Sequence, residues 1–107
     1  MISQLSPPDD QSIAHLTQVR QIVLNKLKDY PAQIYLFGSR ARGEASARSD
    51  IDVGIWPTEP LPSWVLSEVR EALFESVVPF QVDVIDLSQT DDHFRQRVLK
   101  EAIAWND

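Results

Sequence analysis

The pair Gly38-Ser39, a gap of ten residues, and then Asp50-x-Asp52 is the spacing in this chain best suited to chemistry. In an extended strand successive side chains point to opposite faces, so Asp50 and Asp52 share one face while Ile51, Val53 and Ile55 share the other. A later run, "FQVDVIDL" (80–87), alternates in the same way. Val82 and Val84 make its apolar face and Asp83 stands opposite, able to join the first two acids; Asp86 falls on the apolar phase, at the strand end. Three carboxylates on one surface raise one another's pKa unless positive charge lies among them. The occupant this predicts is a divalent cation. The chain has no cysteine, and His15 and His93 lie outside these segments, so the ligands are oxygens, which favours Mg²⁺ or Mn²⁺ over zinc. Mg²⁺ held by one or two carboxylates keeps positions for substrate phosphates. The expected substrate is therefore a nucleoside triphosphate, and the expected chemistry an in-line displacement with pyrophosphate leaving.

The Gly38-Ser39 pair supplies the other side of such a site. Glycine lets backbone approach closely at a strand end, and Ser39 with the amides after it can donate hydrogen bonds to phosphate oxygens. Gly43 then releases the chain from the turn. Arg40, Arg42 and Arg48 bring local positive charge into a chain whose net charge is -6, a balance that argues against gripping a polynucleotide backbone. Taken singly, each of these residues has an ordinary explanation as turn, strand end or solvated surface; the combination carries the signal. His15 and His93 read as helix-surface residues. Trp56, Trp64 and Trp105 are candidates to stack a base or anchor a partner, or to pack at the core's edge, and Trp56 shares strand phase with Asp50 and Asp52.

Several elements must position these groups. After Pro7-Pro8-Asp9-Asp10, the stripe Ile13, Leu16, Val19, Ile22, Val23 and Leu27 predicts an amphipathic helix over about residues 10–29, closed by Pro31. "QIYLF" (33–37), "DIDVGIW" (50–56) and "FQVDVIDL" (80–87) predict three strands. "PSWVLSEVREALFESV" starts at Pro62-Ser63 and carries Leu66, Val69 and Leu73 on one face, and "DDHFRQRVLKEAIAW" does so with Phe94, Val98 and Ala102, Thr90 being its expected N-cap. The fold class is α/β (α+β): one small sheet flanked by helices, in a single domain over residues 1–107. No stretch has the length of a membrane span and the N-terminus lacks a signal-peptide pattern, so the expectation is a cytoplasmic protein.

With these residues assembled, "GSRARGEASARSDID" (38–52) resembles the signature of the polymerase-beta-like nucleotidyltransferase superfamily, and the chain length is similar to that of its minimal nucleotidyltransferases (MNT). The resemblance runs from about Ile13 to Trp105. It implies a mixed sheet in which Asp50, Asp52 and Asp83 bind Mg²⁺ or Mn²⁺ and are catalytic, Asp83 taking the acceptor hydroxyl's proton. It implies that Gly38 and Ser39, with Arg40 and Arg42, hold the triphosphate of ATP. It also implies a hetero-oligomer with a HEPN toxin, the MNT chain serving as antitoxin by transferring AMP to a tyrosine of its partner; the alternative is a non-catalytic antitoxin that neutralises by complex formation. Larger relatives carry a second domain for a primer or an antibiotic acceptor. None is evident here, so the acceptor site is expected to be shallow or completed by a partner.

Overall fold

The computed structural model describes residues 10–43 and 50–106. Along the chain run α1 (Asp10–Lys26), β1 (Ala32–Phe37), the one-turn α2 (Ser39–Arg42), β2 (Ile51–Pro57), α3 (Ser63–Phe74), β3 (Val82–Asp86), a 3₁₀ turn (Leu87–Gln89), α4 (Asp92–Glu101) and β4 (Ile103–Ala104). The strands form one mixed sheet in the order β3-β2-β1-β4. β1 pairs antiparallel with β2 and with β4, whereas β2 and β3, joined through α3, are parallel.

The strand alternation read from the sequence sorts two packing layers. Ile51, Val53 and Ile55 of β2 are fully buried beneath Val19 and Val23 of α1, Leu27 in the turn just after it, and Val65, Leu66, Val69 and Leu73 of α3. Each such side chain contributes about 1.5–3 kcal/mol by leaving water, so this layer dominates stability. On the opposite face Phe37, Leu87 and Val98 form a second, smaller cluster, with Tyr35, Trp56, Ile85 and Phe94 packed around it. Gly54 belongs to this face. A Cβ there would lie 2.9 Å from Leu87 Cδ1, so the missing side chain is the notch that lets the 3₁₀ turn close onto the sheet.

Strand ends shift by a residue or two, β2 running Ile51–Pro57 and β3 Val82–Asp86, and three larger departures from expectation have local reasons. The first helix ends at Lys26 rather than near residue 29, because the chain tightens into a turn, Tyr30 N–H donating to Leu27 O at 2.9 Å, ahead of Pro31, which disfavours helix before it. The N-cap of α4 is Asp91, not Thr90: Asp91 Oδ1 accepts the Phe94 N–H at 2.8 Å, while the Thr90 hydroxyl donates to Leu87 O at 2.7 Å. The sheet has four strands rather than three. The predicted last helix stops at Glu101, and Ile103–Ala104 add to the open edge of β1. Trp105 N–H donates to Ile34 O at 2.7 Å, and the Asn106 amide spans β1, donating to Ala32 O at 2.6 Å and accepting from Ile34 N–H at 2.9 Å. An unpaired strand edge offers these residues more hydrogen bonding than another helical turn would. Trp105 is accordingly buried in the main core.

Gly54→Ala should force a methyl into the fully buried Leu87 side chain. The expected loss is about 1–3 kcal/mol, the usual range for overpacking, read as a lower midpoint in thermal or urea unfolding; an unchanged midpoint would show that the 3₁₀ turn yields freely.

Candidate active site

Strand register brings the acids together. Asp52 sits opposite Phe37 of β1 and directly beside Asp83 of β3. Asp52 and Asp83 are half-buried, and Gln81 Nε2 donates to Asp83 Oδ1 at 3.1 Å. Asp50 lies one residue outside β2, exposed at its mouth rather than within the strand as its alternation suggested. The ladder begins one residue later, where Ile51 N–H donates to Gln81 O at 2.9 Å.

Gly38 closes the site from the β1 side. Its φ of 79° lies where only glycine is at ease, and a Cβ would sit 3.2 Å from Asp52 Cγ and closer still to Oδ2. The backbone thus passes against the Asp52 carboxylate before turning into α2, where the Ala41 and Arg42 N–H groups donate back to Gly38 O at 3.0 and 3.1 Å. Ser39 opens this turn and is half-buried. Gly43, at φ 76°, ends it in the left-handed conformation, the role its position suggested.

The arginines part company. The Arg40 guanidinium lies over the Phe80 ring, 4.6 Å from its centroid, and the His15 ring meets the same phenyl edge-on at 5.3 Å. Arg42 goes the other way: its Nη1 donates to both carboxylate oxygens of Glu101, at 3.1 and 3.0 Å. Arg48 lies outside the described residues. Trp56 is taken up by packing, partly buried with the Arg95 guanidinium 5.2 Å from its ring centre. Arg95 is itself tied to Leu87 O and Thr90 O, at 2.9 and 2.7 Å. His93 and Trp64 are exposed.

The electrostatics are those of an uncompensated acidic centre. The Asp52 pKa is raised above its ordinary 3.8, chiefly by burial, then by the charges of Asp83 and Asp50, with Arg42 pulling it down. Among the described residues no three acidic or imidazole side chains converge as a ready-made cage for a metal. The donor chemistry nevertheless fits a hard divalent cation: oxygen ligands only, with mutual repulsion that such an ion would relieve. Asp52 and Asp83 would hold it, with Asp50 at the opening.

Beside this centre, Gly38 and Arg42 border a cleft of about 410 Å³ whose far wall is α4, contributing Phe94, Arg97 and Glu101. Sequence reasoning passed over Arg97 and Glu101 and read Phe94 only as part of a helix's apolar face. Glu101 meets Arg42 across 59 positions, and no local periodicity reports such a pairing.

Residues 18–104 match the family model described as polymerase beta, nucleotidyltransferase. The chain is 35% identical over 85 residues to the protein adenylyltransferase MntA of Haemophilus influenzae, covering 79% of this chain and 73% of that one. A solved minimal nucleotidyltransferase superimposes with a TM-score of 0.69 at 29% identity, over 92% of this chain and 98% of the other. A crystal structure of a toxin–antitoxin with AMP-PNP gives a TM-score of 0.64 at 25% identity, over 80% and 71%.

Because the Asp52 pKa is raised in the native state, folding binds protons between the unfolded and native values, and stability falls as pH rises through that window. Above both values the ionised carboxylate opposes folding. Asp52→Asn is therefore expected to melt above the wild type at about pH 7, the gap closing as the pH drops below the ordinary aspartate value. Thermal unfolding across that range checks it, and a variant that melts lower at neutral pH would refute the repulsion.

Proposed function

The chain belongs to the polymerase beta nucleotidyltransferase family, and from that premise we propose that it transfers AMP from ATP to a tyrosine hydroxyl of a HEPN toxin, acting as its antitoxin. The observation that carries this reading is the register of Asp52 beside Asp83 with the Gly38 backbone against the Asp52 carboxylate. The similarity to a protein adenylyltransferase and to a toxin–antitoxin bound to AMP-PNP supports the choice of donor and partner.

In this mechanism the Gly38-Ser39 turn and Arg42 receive the triphosphate, presenting its α-phosphorus to the acids. Asp52, Asp83 and Asp50 would hold Mg²⁺ or Mn²⁺, which would neutralise the charge developing on the phosphate oxygens. The acceptor oxygen forms a bond to the α-phosphorus as the bond from that phosphorus to the bridging oxygen breaks, and pyrophosphate departs. Asp83 takes the hydroxyl proton, a general-base role for a carboxylate within reach of the attacking oxygen. Such catalysis rests on orientation and charge compensation rather than on a covalent enzyme intermediate. Among the described residues no helix is long and apolar enough to cross a membrane.

Asp50→Asn/Asp52→Asn should lose at least about a thousandfold in transfer rate, the scale seen when charge-stabilising groups are removed from a phosphoryl or acyl centre. Intact-mass spectrometry of the partner after incubation with ATP and Mg²⁺ reads this directly, as one or more added AMP groups that require the native acids. A partner that stays unmodified yet neutralised, with wild type and variant alike, would replace the enzymatic reading with neutralisation by complex formation.

A further inference from the structure

The cleft beside Gly38 opens on the face of the sheet that bears the acids. Phe37, which lines it, pairs across the β1–β2 ladder with Asp52, and residues directly opposite in a ladder stand on one face. The far wall is a single stripe of α4, where Phe94, Arg97, Val98 and Glu101 recur at i, i+3, i+4 and i+7. Phe94 and Val98 pack with Phe37. The two charged residues of the stripe are less covered, Arg97 being exposed and Glu101 partly so.

These two are matched differently. Glu101 receives Arg42 Nη1 on both carboxylate oxygens, at 3.1 and 3.0 Å. Among the described residues the Arg97 guanidinium makes no ion pair and no hydrogen bond. Its own helix supplies none: one turn away on α4 lie His93, Phe94, Lys100 and Glu101, and the one acid among them already holds the α2 arginine. An unmatched cation thus lines a cleft in a chain whose net charge is -6. What such a wall can take is an anion, and the forked donors of a guanidinium match phosphate oxygens two at a time. Gly38 stands between the acids and this wall, its backbone against the Asp52 carboxylate on one side and the cleft on the other. A triphosphate with its α-phosphorus at the acids that passes this turn has its outer phosphates in the cleft.

We propose that Arg97 is a further substrate-binding residue: from the α4 wall it grips the β- and γ-phosphates, and so holds the pyrophosphate that leaves with the electron pair of the broken bridging bond. This rests on the reading of the Gly38-Ser39 turn as the triphosphate site.

The test uses the full chain with Mg²⁺ and follows displacement of a fluorescent ATP analogue by ATP, by AMP and by inorganic tripolyphosphate. Arg97→Gln should weaken ATP and tripolyphosphate about tenfold, the scale of one charge-assisted hydrogen bond, and AMP less than twofold. Arg97→Lys, which keeps the charge and loses the fork, should fall between Arg97→Gln and the wild type. Lys100→Gln removes the same charge from an exposed position of α4 that does not line the cleft, and should stay within about twofold of the wild type for all three ligands, as substitutions on an open surface do. ATP binding unchanged in Arg97→Gln would overturn the proposal. Equal weakening of ATP and AMP would also overturn it, since the residue would then act through the base or through general structure. So would a Lys100→Gln variant as weak as Arg97→Gln, which would trace the effect to net charge and not to placement. Wild-type protein that binds ATP no more tightly than AMP would bring down the triphosphate reading of the Gly38 turn itself, and this inference with it.

Discussion

The contact of the Gly38 backbone with the Asp52 carboxylate organises everything around the site. No side chain fits between them, because a Cβ at Gly38 would overlap Asp52 and the φ of 79° excludes most other residues. The contact is possible because Phe37 pairs with Asp52 across the β1–β2 ladder, so the end of β1 and the start of β2 meet in fixed register. One residue of slip would put Asp52 into the apolar layer and Val53 into the site. The buried Ile51, Val53 and Ile55 therefore hold the acids in place as surely as any contact in the site does.

A second constraint follows from charge. Half-burying Asp52 beside Asp83 disfavours the ionised form, and a small domain tolerates such a cost because its main layer is wholly apolar; among the described residues no polar or charged side chain is fully buried. Positive charge reaches this centre from the short α2 and is held by α4, so the last part of the chain shapes the site without carrying one of its acids. The sheet order makes this possible. β4 docks beside β1 and brings the end of α4 to the mouth of the Gly38 turn.

The face that bears the acids is only partly polar. At one end Asp52 and Asp83 are only half-buried, and at the other Leu87 fills the notch at Gly54 while Arg95 covers Trp56. This division explains why Trp56, in phase with the acids, is occupied by packing. Strand phase tells which face a residue is on, whereas the 3₁₀ turn and α4 decide how far along that face the cover extends.

Periodicity and spacing determined the α/β class, the two apolar stripes of α1 and α3, the inward set Ile51, Val53 and Ile55, and the common face of Asp52 and Asp83. Those features are local, since alternation and helical repeat depend only on neighbouring residues. Tertiary structure decided the rest. Whether residues 103–104 extend a helix or join a sheet depended on the free edge of β1, which no stretch of their own sequence reveals. Asp50 fell outside the strand because the ladder begins at Ile51. Arg40 and Arg42, two residues apart and alike in sequence, took opposite directions because Phe80 and Glu101 await them on different sides of the turn. Pairings across 40 or 59 positions leave no local pattern, and they exist only once the chain has closed its sheet.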